Sequence, residues 1–187
     1  MPAAMERRFA KSLSAFLAGL QAGMVGVWWM LAWMGASAVW QRGSFWTPEN
    51  LMASVFYGNA AILPGFGAST VSGLALYVLL YSLLGAWLAM AVGDRLPRPR
   101  LALASIAFAL CWYYAAFHLL AKTVSPLVAL LDTERTTVLG HAIYGVLLAR
   151  FPVYLPRDAE PPVASLPEIE GPDAEPVAEA GSEEPGQ

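Results

Sequence analysis

The sequence predicts an all-α membrane protein: a four transmembrane helix bundle with short interfacial helices in the outer loops and a disordered C-terminal tail. Three observations predict it. Four windows, 13–39, 69–92, 101–121 and 136–155, are apolar, and Arg150 is the one charged residue inside them. Small residues recur at helical spacing within these windows. The remaining charges gather in the turns and in an acidic stretch after Arg157. The chain is 57% hydrophobic and 13% charged, against ~25% charged in soluble domains, which argues against a water-soluble domain.

The N-terminus, residues 1–12, is basic, with Arg7, Arg8 and Lys11. With the apolar run and Ala36-Ser37-Ala38 behind it, this imitates a secretory signal. The run is about twice a ~7–15-residue signal core and carries Trp28, Trp29 and Trp33 in its middle, so it reads as a retained first span. At ~1.5 Å per residue it exceeds a ~30 Å hydrocarbon core and must tilt or project. Gly19, Gly23 and Gly26, with Ala15, Ala18 and Ala22, make small faces suited to packing inside one bundle. The three tryptophans read as bundle packing too.

In the first loop, 40–67, Thr47-Pro48-Glu49 is a helix start: a hydroxyl, a proline for the first turn and an acid that suits the helix dipole. Leu51, Met52, Val55 and Phe56 share one face, which predicts an interfacial helix ending at Gly58. The second span repeats the small-residue pattern in Gly85, Ala89 and Gly93. The turn after it holds Arg95, Arg98 and Arg100 among two prolines. It is a topology anchor, too short and too close to the spans for a nucleic-acid patch.

The third span carries Cys111, Trp112, Tyr113, Tyr114 and His118. A single cysteine excludes an internal disulfide and a cysteine zinc site. Asp132, Glu134 and Arg135 then set the start of the fourth and shortest span. The tail, 157–187, holds nine acids, six prolines and no aromatic, a composition that does not bury enough surface to fold alone. It reads as a solvated spacer. Eight basic residues fall on the side of both termini and three on the other (Arg42, Lys122 and Arg135), which puts both termini in the cytoplasm.

The search for chemistry is mostly negative. The chain has no GxSxG, HExxH, Walker or dinucleotide motif, and no catalytic or metal residues are assigned. No Asp, Glu or Lys falls in mid-span, which argues against an ion-coupled transporter. The two histidines, His118 and His141, fall at similar depth near the outer ends of neighbouring spans, with Tyr114 and Tyr144 beside them and Gly145 leaving room one turn on. The plain reading is that each imidazole hydrogen-bonds a neighbouring helix or interfacial water. Two others are axial ligation of a b-type haem and a quinone, lipid or metal site. For zinc, only Asp132 and Glu134 add ligands.

His118, a proline-containing loop and then Gly140-His141-Ala142-Ile143-Tyr144-Gly145 resemble a group of small four-helix bacterial inner-membrane proteins, a domain of unknown function. The resemblance covers 13–151 and implies a fold and a location without an activity; the acidic tail departs from it. The expected function is a non-enzymatic accessory or structural subunit of a membrane assembly. It would touch the lipid bilayer and a membrane-protein partner or a second copy, and no nucleic acid. The alternative is a redox or ligand-binding subunit that holds haem b or quinone at His118 and His141. A further alternative is a small-solute transporter.

Overall fold

The computed structural model describes residues 2–62, 65–93, 95–121, 128, 131 and 133–156. Helices joined by short turns make up these residues, without strands among them. Helix α1 is Pro2–Trp40, α2 is Thr47–Tyr57, α3 is Ala68–Val92, α4 is Arg98–Ala115 and α5 is Glu134–Leu148. A π-helical segment, Ala116–Ala121, continues α4, and 3-10 turns follow α2 and α5 at Gly58–Ala61 and Phe151–Tyr154. The tail assigned to 157–187 lies outside the described residues, as do Asp94, Lys122 and Asp132.

Prolines and glycines fix where the helices start and stop. Pro48 and Pro99 occupy first-turn positions, where a missing N–H costs nothing. Gly58 and Gly93 end α2 and α3 at positive φ, 56° and 57°, with ψ of −138° and −140°, a conformation that glycine adopts far more readily than any residue with a side chain. Gly93 is therefore a cap and not the packing residue its spacing predicts: no atom lies within 4 Å of where its Cβ would be.

Three helices are long and apolar enough to cross a membrane: 8–40, 68–92 and 98–118. Helix α1 is longer than the expected first span, because no proline or glycine pair interrupts the basic N-terminal residues. The expected fourth span appears as a 15-residue helix, about 22 Å long. The chain then turns through Arg150 into the second 3-10 turn, where Phe151 is fully buried.

Helix α1 packs against α3 on one side and α5 on the other, and α4 packs on the far side of α5. The α1–α3 seam is nearly bare backbone. Gly19 lies against the Gly85 carbonyl and Ala89, and a Cβ on Gly85 would sit 2.9 Å from the Gly23 Cα. A Cβ on Gly23 would sit 2.7 Å from the Tyr81 carbonyl. Gly26 receives the Tyr144 ring, and Gly145 lies against the α4 backbone at Ser105 and Ile106.

Large apolar residues face outward as well as inward, and several polar residues are buried. Trp28 and Trp29, expected to pack inside the bundle, are 51% and 62% exposed, and Leu79, Leu83, Trp87, Leu103 and Val146 also face outward. Ala18, Ala22, Thr70, Ser82, Ser105, Thr137 and His141 are buried. An apolar exterior around a small-residue and polar interior is the arrangement that lipid favours.

Helix α2 follows the same pattern. Its buried face is Pro48, Glu49, Asn50, Ala53 and Ser54, while Val55 and Phe56 are exposed. Of the predicted apolar face, Leu51 and Met52 are half-buried beside a cavity and Val55 and Phe56 are exposed. The buried polar face is tied to α3. Thr70 donates to Asn50 Oδ1 at 2.6 Å, Asn50 Nδ2 donates to the Gly65 carbonyl at 3.0 Å, and the bare backbone of Gly73 lies against the Glu49 carbonyl.

Gly85→Val should lower stability by about 3 kcal/mol, because its new atoms would meet backbone that cannot move aside. Gly67→Ala, at an extended backbone with open space around it, should change it by less than about 1 kcal/mol. Thermal unfolding in mild detergent, followed by helical circular dichroism, checks both; equal midpoints would refute the seam.

Candidate functional site

At the end of the bundle that carries α2, inward side chains repeat one turn apart on two helices: Tyr77 and Tyr81 on α3, Thr137 and His141 on α5. Helix α4 adds Tyr113, whose ring centroid is 4.9 Å from that of His141. His141 is 3% exposed. Its Nε2 is 2.6 Å from the Tyr81 hydroxyl and its Nδ1 is 2.8 Å from the Thr137 carbonyl.

The chemistry of the partners orients these bonds. A carbonyl only accepts, so Nδ1 carries a hydrogen and donates to Thr137. In the neutral imidazole Nε2 is then the acceptor, and the Tyr81 hydroxyl donates to it. Tyr144 completes the knot: its hydroxyl donates to the Tyr81 carbonyl at 2.7 Å, and its ring meets the Tyr81 ring edge-on at 5.0 Å. Tyr81 is thus held at both its backbone and its side chain by α5.

A half-open cavity of 430 Å³ lies over this knot. Small-molecule sites span roughly 300–1,000 Å³. Met34 and Ala38 of α1 form one wall, Leu76, Leu80 and Tyr81 of α3 a second, and Trp112 and Tyr113 of α4 a third, continued by Phe117. Thr137 and His141 form its α5 side, and α2 contributes Leu51, Met52 and Val55. At the rim Gln41 bridges two helices, accepting from Thr133 at 3.3 Å and donating to Thr136 at 3.4 Å. Trp33 Nε1 donates to the Thr136 carbonyl at 3.1 Å.

The residues singled out by sequence part company here. His141 lines the cavity, whereas His118 is exposed and stacks parallel on Tyr114, itself exposed, at 6.1 Å. Among the described residues no ring contact joins the two histidines. Tyr113 and Phe117 face inward, so Tyr114 and His118, about 100° further round the helix, face out. Tyr144 is spent on the Tyr81 carbonyl and Gly145 on α4. A haem held between the two histidines would need His141 to give up Tyr81 and His118 to turn inward. Glu134 is exposed, and among the described residues no three His, Cys, Asp or Glu side chains come together as metal ligands.

Sequence reasoning missed Glu49, placing it as a surface acid in the first turn of α2. It is 1% exposed, and among the described residues its Oε2 meets no hydrogen-bond partner. Burial pushes the carboxyl up to about 7, opposed by its own backbone N–H. The available signal was the spacing of Glu49, Asn50, Ala53 and Ser54, which share a face as well formed as the apolar one.

The fold and the cavity together define an α-helical membrane protein with a lipophilic pocket at one end of its bundle. Comparison with known proteins gives no match to a family model, to a curated protein or to a solved structure.

Two outcomes follow from these contacts. The folded Glu49 carboxyl keeps its proton up to about 7 and the unfolded one releases it near 4.5. Ionisation therefore costs the fold nothing below 4.5, an increasing amount between 4.5 and 7, and up to about 3 kcal/mol above that window. Glu49→Gln should flatten the unfolding midpoint across this window and raise it at pH 8, and an unchanged pH profile would refute the assignment. Tyr81→Phe leaves Nε2 of a buried imidazole without its donor and should cost about 1–3 kcal/mol, read from chemical unfolding in detergent.

Proposed function

We propose that this chain is a multi-pass protein of the bacterial inner membrane that holds a small lipophilic molecule in the cavity over His141 and Tyr81. It acts as a non-enzymatic accessory subunit that carries a ligand for a larger membrane assembly. The observation that carries this reading is the 430 Å³ cavity, whose apolar walls close on a few fixed polar groups. The exposed apolar belt on α1, α3 and α4 supports placement in lipid.

Four crossings with both termini cytoplasmic fit the count of basic residues on each side. The fourth crossing is α5 with the 3-10 turn behind it, short enough that Arg150 reaches the headgroups from its end. The acidic tail is a disordered, solvated spacer on the cytoplasmic side. Of the ligands weighed at the histidines, a lipid-like molecule suits the site better than haem, because both nitrogens of His141 are already bonded within the protein.

Native mass spectrometry from mild detergent should show the full chain carrying a small molecule. In a Cys111→Ser background, Ser44→Cys should label in intact cells with an impermeant maleimide, and Ser182→Cys only after the inner membrane is opened. A bare mass from native membranes would defeat the ligand reading; labelling of both cysteines from outside would defeat the topology.

A further inference from the structure

We propose that α2 is a pH-gated lid: when Glu49 loses its proton, α2 swings away from α3 and uncovers the cavity that its other face lines. The device goes beyond the ligand reading and needs no ligand to be observed.

The lid has two unlike faces. Thr47, Pro48, Leu51, Met52 and Val55 line the cavity. Glu49, Asn50, Ala53 and Ser54 are buried, and the bare backbone of Gly73 on α3 meets the carbonyl of Glu49. Helix α2 packs chiefly on α3 and far less on α1. Docking of one polar face therefore decides whether the cavity is covered.

The joints suit a swing. Ahead of α2 the chain is pinned: the Gly43 N–H donates to the Ala38 carbonyl at 2.8 Å, and the Thr47 hydroxyl donates to the Ser44 carbonyl at 2.7 Å. Behind it, Gly58, Gly65 and Gly67 have no atom within 4 Å of where a Cβ would be. That joint can change shape without a clash, and hinges are built from a few such residues at the ends of elements. The ties on the docked face include neutral hydrogen bonds, from Asn50 to Thr70 and Gly65 and between the hydroxyls of Tyr57 and Ser72 at 3.0 Å. Bonds of this kind are modest in net strength and indifferent to pH.

Charge supplies the trigger. Among the described residues, no element packed on α2 offers the Glu49 carboxylate a positive partner. Helix α3 has no Asp, Glu, Lys, Arg or His, and its titratable groups here are Tyr77 and Tyr81 on the cavity wall. Tyr57 on α2 itself and Arg42 just past α1 are exposed, and the remaining charges of α1, at residues 6–11, lie at its opposite end. The 3-10 turn Gly58–Ala61 has no titratable side chain. Burial and its own backbone N–H are what act on the carboxyl. Docked, it keeps its proton up to about 7; released into water, it loses it near 4.5. Docking is at full strength below 4.5, weakens through the window from 4.5 to 7 and is weakest above it, by a factor on the order of 100. The cavity is covered on the acid side of this window and open on the alkaline side.

The test uses the full chain in mild detergent, in a Cys111→Ser background, and follows labelling of single cysteines by a methanethiosulfonate reagent. Ser54→Cys reports the docked face of α2, Phe56→Cys the exposed face of the same helix, and Ser82→Cys the buried side of α3. Dividing the rate at 54 by the rate at 56 cancels the pH dependence of the reagent and of a free thiol. From pH 5 to pH 8 this ratio should rise on the order of 100-fold, while Ser82→Cys stays protected. Glu49→Gln removes this one titration and should hold the ratio low and flat. Gly73→Ala, whose methyl meets the Glu49 carbonyl, should hold it high at both ends. One folded variant of the two suffices. A flat ratio with Glu49 in place, an equal rise with Glu49→Gln or a low ratio with Gly73→Ala overturns the proposal. So does exposure of Ser82→Cys in parallel, which marks unfolding of the bundle and not the motion of a lid.

Discussion

The backbone contact between α1 and α3 is the constraint on which the rest of the structure depends. Gly19, Gly23 and Gly85 bring the two helices together with no side chain between them. Because Gly23 lies against the Tyr81 carbonyl, the same contact sets the height and rotation of Tyr81. From there the order passes to α5: Tyr144 reaches that carbonyl, and His141 takes the Tyr81 hydroxyl hydrogen. The cavity floor is thus fixed in part by glycines that do not themselves line the cavity.

Lipid as solvent explains the second theme, the exchange of faces. In water, Val55, Phe56, Trp28 and Trp29 would turn inward and Glu49, Asn50 and Ser54 outward. In a bilayer the cost of exposure is reversed, and a polar group is stable only where another polar group meets it. Asn50 and Thr70 satisfy each other in this way. Glu49 does so only in part, which is why its carboxyl favours the protonated form.

Much of the fold was legible in the sequence. The windows without charge gave three of the long helices, with α3 placed to within one residue of 69–92. The spacing of Gly19, Gly23 and Gly85 marked residues that lie in the α1–α3 seam. What escaped was rotation. A uniformly apolar helix has no amphipathic stripe to say which side faces its neighbours, so His118 and Tyr114 looked like partners of His141 when they lie on the outward side of α4. Gly93 fell in the packing register but serves the chain reversal. The π-helical segment after Ala115 left no signature in composition. In α2 the apolar face was visible, and the burial of the polar one was not, because the groups that meet it, Thr70 and the backbone at Gly73, lie on a later helix.

The inverted face of α2 bears on how the molecule is made. The segment leaves the ribosome before α3, and the groups that match its buried side, Thr70 and the bare backbone at Gly73, belong to α3. Until α3 is threaded into the bilayer, Glu49 and Asn50 have nowhere dry to go, and water holds them better than lipid does. The order of the polypeptide therefore dictates an order of assembly. The short helix between the first and third helices can thus bury its polar face only against a third helix that is already in place.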